Sequence, residues 1–344
     1  MPRFRILHAS DLHFSPRPFR YGLTDCLSVW LSGRYIRPSH IVSTHSPTLA
    51  LALAAFAYRN RSAYDVAVLS GDLGATGDPA DLGVAQAFLS HPPAPGKAPY
   101  AAGATHGTLQ SLGKPVVVLP GNHDRYGPVF AVPPYTPGHV VFDGIFPLWY
   151  VGQGAQELFR RTRQGMTLVL LGADFTLRPG DLGGVGPTTF VSAWTSLFSI
   201  WHYGRGRVYD GTLQALRTLT QKVRQECQPC VVLWVVHFEP ESTKAGLELL
   251  DDQLLVQAAT EEQVPAIFCG HTHQSRLRPL AGGASTAYVC GTTTQFYVQP
   301  PDTNAVHMLQ IDVPDDSPAQ PVITCQRYAY DPIRKGFVID PNFP

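Results

Sequence analysis

Five short apolar runs punctuate the chain, and each leads into a polar, ligand-capable residue. The clearest is 116–124, VVVLPGNHD. Val116, Val117, Val118 and Leu119 form the run, Pro120 and Gly121 stop it, and Asn122, His123 and Asp124 follow at once. An apolar strand that breaks at a Gly turn and then shows polar side chains predicts chemistry presented at the carboxyl edge of a sheet. The same layout recurs four times. Residues 6–8 lead to Asp11 and His13, 66–69 to Gly71 and Asp72, 231–236 to His237, and 266–269 to Gly270, His271 and His273. Asp11 and His13 are two apart, a spacing that points both side chains the same way if the segment is extended.

Helical signals fill the intervals. Ser46-Pro47-Thr48 reads as an N-cap with Pro in the first turn, opening a helix over 49–61. Asp78-Pro79 opens another over 79–90. Leu213, Leu216, Leu219 and Val223 recur at helical spacing within 210–225. A further helix is expected over 248–260, and strands over 4–10, 64–69 and 166–171. The β-like runs 287–290, 307–313 and 322–328 read as antiparallel strands completing a second sheet, and 331–344 reads as a surface tail. Residues 91–113, rich in Pro, Gly and Ala, read as a surface loop, and 125–150 as irregular structure near the site. Two stretches are long for plain connections: 14–46 and 179–206. The second carries Phe190, Trp194, Phe198, Trp201, His202 and Tyr203, whose spacing suits a short amphipathic helix. A lid, a contact in a homodimer, a membrane-surface patch and an ordinary packed helix all fit it.

Composition narrows the function classes. The 344 residues suffice for one large domain or two small ones. Lys+Arg and Asp+Glu are 26 each, so the formal charge is zero, which disfavours nucleic-acid binding by bulk electrostatics. The N-terminal sequence lacks a signal-like apolar region, and the apolar run 49–57 is too short to span a bilayer, so a cytoplasmic location is expected. The six cysteines are scattered. Cys227 and Cys230 form a C-x-x-C with no second pair, which reads as ordinary thiols rather than a zinc or redox site.

The polar residues at the run ends are Asp11, His13, Asp72, Asn122, His237, His271 and His273. Mixed imidazole, carboxylate and amide donors suit Zn, Mn or Fe. Seven are too many for one catalytic ion with an open position. They suit two ions sharing a carboxylate, roughly 3.5–4 Å apart, that clamp a phosphate and acidify a bridging water for in-line attack. His123 is not needed as a ligand and could protonate the leaving alkoxide. His8, inside the first strand, reads as a packed or supporting histidine rather than a ligand. Asp174 and Glu239 read as polar groups near the rim. Arg125 is a candidate contact for a substrate phosphate, against an ordinary surface arginine.

The motifs Asp11-Leu12-His13, Gly71-Asp72, Gly121-Asn122-His123-Asp124, His237 and Gly270-His271-Thr272-His273, in this order, resemble the calcineurin-like metallophosphoesterase superfamily. Within it the chain is most similar to bacterial proteins near the class III cyclic nucleotide phosphodiesterases. The resemblance implies an α/β fold, a four-layer α/β/β/α sandwich of two mixed sheets, in a single domain over 1–344 with insertions at 14–46 and 179–206. It implies one metal on Asp11, His13, Asp72 and His273, a second on Asp72, Asn122, His237 and His271, and His123 at the scissile phosphate. The protein-phosphatase branch carries a second Asp after GD that orients the catalytic histidine. Here Leu73, Gly74, Ala75 and Thr76 stand in that stretch, leaving Asp124 and His8 as candidates for the role. The expected activity is a dinuclear metal-dependent phosphohydrolase acting on a cyclic nucleotide or other small phosphodiester. Phosphomonoesterase and nucleotide or lipid-linked pyrophosphatase activities are the alternatives within enzymes, and a non-catalytic binding scaffold is the alternative outside them.

Overall fold

The protein is described from a computed structural model, which covers residues 1–16, 44–90, 109, 113–125, 138–146, 154–178, 204–244, 246–296, 298, 302–314 and 320–343. The aromatic stretch 190–203 and most of the 14–46 and 91–113 segments lie outside the described residues.

Each apolar run forms a strand: β1 Arg3–Ala9, β2 Val66–Leu69, β3 Val116–Val118, β7 Cys230–Val235 and β9 Ala266–Cys269. In β2, β3 and β9 every residue is buried, because both faces of the sheet are covered and alternation of polar and apolar positions has no use. β4 Ala155–Arg163 and β5 Met166–Ala173 form an antiparallel pair, of which β4 carries no clear sequence signal. β6 Gly206–Arg207 and β8 Leu249–Leu250 make a short ribbon. β10 Arg276–Pro279, β11 Thr286–Val289, β12 Ala305–Asp312, β13 Val322–Asp331 and β14 Gly336–Ile339 complete the strands.

Two six-stranded sheets result, ordered β14-β13-β12-β1-β2-β3 and β10-β11-β9-β7-β5-β4. β1, β2 and β3 run parallel, as do β5, β7, β9 and β11. The C-terminal expectation is therefore corrected. β11 is a parallel neighbour of β9, whereas β12, β13 and β14 extend the first sheet antiparallel to β1 and one another. β12 returns to pair Ile6 with Leu309, a contact no local pattern could announce. The supposed surface tail contributes the edge strand β14.

Helices cover the outer faces. α1 Pro47–Arg59 starts at the expected Ser46, with Pro in its first turn. α2 Pro79–Ser90 and α4 Gly138–Ile145 follow, the latter within the stretch expected to be irregular. These elements enclose an outer core with Leu7, Ala9, Leu53, Phe56, Phe88 and Phe142. On the other sheet, α5 Asp210–Glu226 and α6 Asp252–Glu261 bury Leu216, Val223, Leu255 and Trp234. Between the sheets lies a third core, with Phe4, Ile6, Val66 and Val68 facing Leu168, Leu170, Leu233 and Phe268. The layers are helix, sheet, sheet, helix. Full burial of such side chains contributes about 1.5–3 kcal/mol each, so this central layer fixes how the two sets of strand ends meet.

Candidate dimetal site

The site sits where the carboxyl ends of β1, β2, β3, β7 and β9 converge. The two sheets are tied there by a Ser10–Thr292 bridge and by Thr293 N–H donating to Ser10 O at 3.0 Å. Asp11, His13, Asp72 and His273 form one group of potential metal donors, and Asp72, His237 and His271 a second, each with ligand atoms within 4.8 Å of one another. Asp72 belongs to both. Asn122 opens the one-turn helix α3 Asn122–Arg125 and places Oδ1 3.1 Å from His237 Nε2.

The backbone at these residues is unusual. Asp11, His13, Asp72, His271 and His273 all have positive φ, between 52° and 70°. Non-glycine residues adopt that region at a cost, and such outliers cluster at functional sites. The expectation of an extended Asp-Leu-His segment is thereby corrected: the chain turns sharply at both ends of the motif. Gly121 and Gly270 are required for close approach. A side chain at Gly121 would collide with the Asp72 carboxylate, and one at Gly270 with Ser10 and Asp11.

The hydrogen bonds define which ring atoms face the pocket. His237 Nδ1 lies 2.7 Å from Ser70 O, which can only accept, so Nδ1 carries a proton. Nε2 then meets Asn122 Oδ1 at 3.1 Å and Asp72 Oδ2 at 3.4 Å, so three potential acceptors converge. That convergence needs a proton or a cation. Burial opposes charge on His237, yet the adjacent Asp72 carboxylate pushes it up to about 9. Burial instead pushes His13 and His271 down to about 3. Asp11 and Asp72 are both buried, and among the described residues their ion-pair partners are histidines alone. Neither ring nitrogen of buried His13 makes a hydrogen bond. Two buried carboxylates, neutral imidazoles with unused lone pairs and a convergent amide oxygen fit a pair of divalent cations.

His123 is held differently. Its backbone N–H donates to Asp72 Oδ1 at 2.9 Å and its Nδ1–H to Ala75 O at 2.7 Å. The orienting group is thus a backbone carbonyl, and neither candidate from the sequence serves. Asp124 accepts from the N–H groups of Gly121, Leu73 and Gly74 and locks the two loops together, while burial pushes it up to about 7. His8 bonds Ser70 Oγ within the strands.

Three rim expectations are corrected. Arg125 is fully buried, paired with Asp143 and Asp174, and Asp174 is buried with it. Glu239 is also fully buried. It accepts from Thr272 Oγ1 at 2.6 Å and pairs with Arg276 and Arg278, bracing the loop that carries His271 and His273. Sequence reading missed the supports supplied by main-chain atoms: Ala75 O, Ser70 O and Gly204 O, the last 2.5 Å from His271 Nε2. Carbonyls carry no residue signature. It also missed Thr292 and Thr294, whose hydroxyls hold the carbonyls of Asp11 and Leu12.

The family profile described as calcineurin-like phosphoesterase matches residues 4–275. The chain belongs to this family. No curated protein matches the chain in sequence. Solved structures resemble it at low identity. A dimetal phosphatase from Danio rerio is 15% identical with a TM-score of 0.48, covering 90% of this chain and 94% of its own. A 5'-nucleotidase precursor from Thermus thermophilus is 9% identical with a TM-score of 0.44, covering 95% of this chain and 54% of its own. A conserved predicted phosphoesterase from Streptococcus pneumoniae is 9% identical with a TM-score of 0.36, covering 100% of this chain and 96% of its own. Among the described residues no helix is long and apolar enough to cross a membrane.

Proposed function

We propose that this metallophosphoesterase is a dimetal phosphodiesterase acting on a small diester such as a cyclic nucleotide. The observation carrying the reading is the convergence of His237 Nε2, Asn122 Oδ1 and Asp72 Oδ2, with Asp11, His13 and His273 grouped on the other side of the shared Asp72. Asp11, His13, Asp72 and His273 would hold one ion, and Asp72, Asn122, His237 and His271 the other. Two bound ions would neutralise phosphoryl oxygens and acidify an attacking water. His123, with Nδ1–H fixed on Ala75 O, exchanges protons with the substrate through Nε2 and protonates the departing oxygen.

Among the described residues, preference for a diester rests on charge. A monoester is dianionic near neutral pH and gains from cationic side chains beyond the two ions, whereas a diester carries one negative charge. Arg125 is engaged by Asp143 and Asp174, and Arg276 and Arg278 by Glu239. Lys244 donates to Thr272 O at 2.8 Å.

The test is hydrolysis of bis(p-nitrophenyl) phosphate beside p-nitrophenyl phosphate by metal-stripped protein resupplied with Mn, Fe or Zn. Metal-dependent cleavage favouring the diester is expected. Preference for the monoester would replace the reading with a phosphatase or nucleotidase. Inactivity with every metal and a panel of cyclic nucleotides would point to a binding scaffold.

A further inference from the structure

Below the dimetal site lies a second histidine cluster with no carboxylate in it. His8 on β1, Cys290 just after β11 and His307 on β12 are each fully buried, and their ligand atoms lie within 4.8 Å of one another. The His8 and His307 rings meet edge to face at 6.0 Å, with Phe268 against His8 and Phe343 against His307. Three ring nitrogens are left without a hydrogen bond: Nδ1 of His8 and both nitrogens of His307. Buried polar atoms in native proteins are nearly always satisfied, so three in one enclosed pocket call for a ligand.

We propose that His8, Cys290 and His307 form a third metal site, in which two imidazole nitrogens and one thiolate sulfur hold copper(I). The supporting hydrogen bonds have the layout such sites use. His8 Nε2 is 2.9 Å from Ser70 Oγ, so a proton on Nε2 leaves the Nδ1 lone pair for an ion. Burial holds His8 and His307 neutral, keeping their lone pairs available. The Cys290 thiol lies 3.5 and 3.8 Å from the carbonyls of His8 and Ala305 and also meets the Thr293 hydroxyl. On binding, the Cys290 S–H bond breaks, an S–Cu bond forms and the proton leaves to solvent, with no change of oxidation state. Thiolate is a soft donor that suits copper(I), imidazole is a borderline donor that also binds copper, and zinc in structural sites takes four ligands where this cluster has three. One thiolate with one monovalent ion is also neutral, as full burial demands. The site would pin together β1, β11, β12 and Ser70. β1, β11 and Ser70 lead directly to Asp11, Thr292 and Asp72, so the ion would brace the floor of the dimetal centre.

The test is anaerobic titration of the full-length protein with copper(I) against a copper(I) chelator, which the harder oxygen and nitrogen donors of the dimetal site cannot outcompete. One equivalent retained by the wild type, lost in Cys290→Ser and kept in Cys227→Ser, is expected, with a raised Tm on loading. Retention unaffected by Cys290→Ser, no retention at all, or zinc displacing copper(I) from the same thiol would overturn the proposal. If Cys290→Ser does not fold, copper-edge absorption on the wild type decides. One sulfur and two nitrogens support the site, and two sulfurs or none refute it.

Discussion

The two halves of the dimetal site are built by different means. On the Asp11 side, His13 makes no ring hydrogen bond, and the half is held through its main chain. Asp11 N donates to Gly71 O, His13 N to Asp72 O, and the Thr292 and Thr294 hydroxyls grip the Asp11 and Leu12 carbonyls. His45 N–H adds a bond to His13 O. On the His237 side the rings themselves are tethered, His237 to Ser70 O and His271 to Gly204 O. Main-chain hydrogen bonds fix one half and imidazole hydrogen bonds aim the other, with strained backbone in both. Asp72, strained and shared, joins them. A site of this kind can lose one half without the other, and the ways of breaking it differ.

Asp72→Ala breaks both halves at once. Each ion contributes several kcal/mol to the transition state, so a fall in kcat/KM of more than about 10⁴-fold is expected. Elemental analysis should show both ions depleted, and unchanged metal content would exclude a bridging Asp72. His123→Ala should leave both halves loaded and lower kcat by about 10²- to 10⁴-fold. The loss should be steepest for leaving groups of high pKa, and equal losses across a leaving-group series would remove His123 from proton transfer. Thr292→Val keeps side-chain volume and removes the grip on the Asp11 carbonyl. It should weaken the Asp11-side ion by about 10- to 100-fold while sparing the other, as seen by stepwise metal titration. Parallel weakening of both ions would contradict the separation of the halves.

Acid supplies the gentlest probe. Burial lowers His8 to about 3 and His45 to about 4, against 6.5 when unfolded. The unfolded chain therefore binds protons below pH 6.5 that the folded chain does not, so stability falls on acidification through that window. The slope is at most about 1.4 kcal/mol per pH unit for each histidine. His45 bonds the Asp11 side through His13 O, and His8 bonds Ser70 Oγ beneath the shared Asp72. Urea midpoints should therefore drop below pH 6.5, and replacing His45 with Gln should flatten the dependence. An unchanged slope would place the acid-sensitive groups elsewhere.

By itself the sequence determined what local rules govern. Apolar runs covered on both faces became strands, Pro and capping residues opened α1 and α2 where expected, and ordered Asp, Asn and His residues at strand ends marked the candidate site. Only the tertiary structure decided the rest. It sent β12, β13 and β14 to the first sheet, because strand partnership is set by core packing across hundreds of residues rather than by any strand's own pattern. It turned Arg125, Asp174 and Glu239 inward, since a buried charge is permitted only where another segment brings its counter-charge. It chose a carbonyl, Ala75 O, to orient His123, a role every residue's backbone offers equally. And it drew His8, Cys290 and His307 together from β1, the end of β11 and β12, where no spacing along the chain could have foretold a cluster.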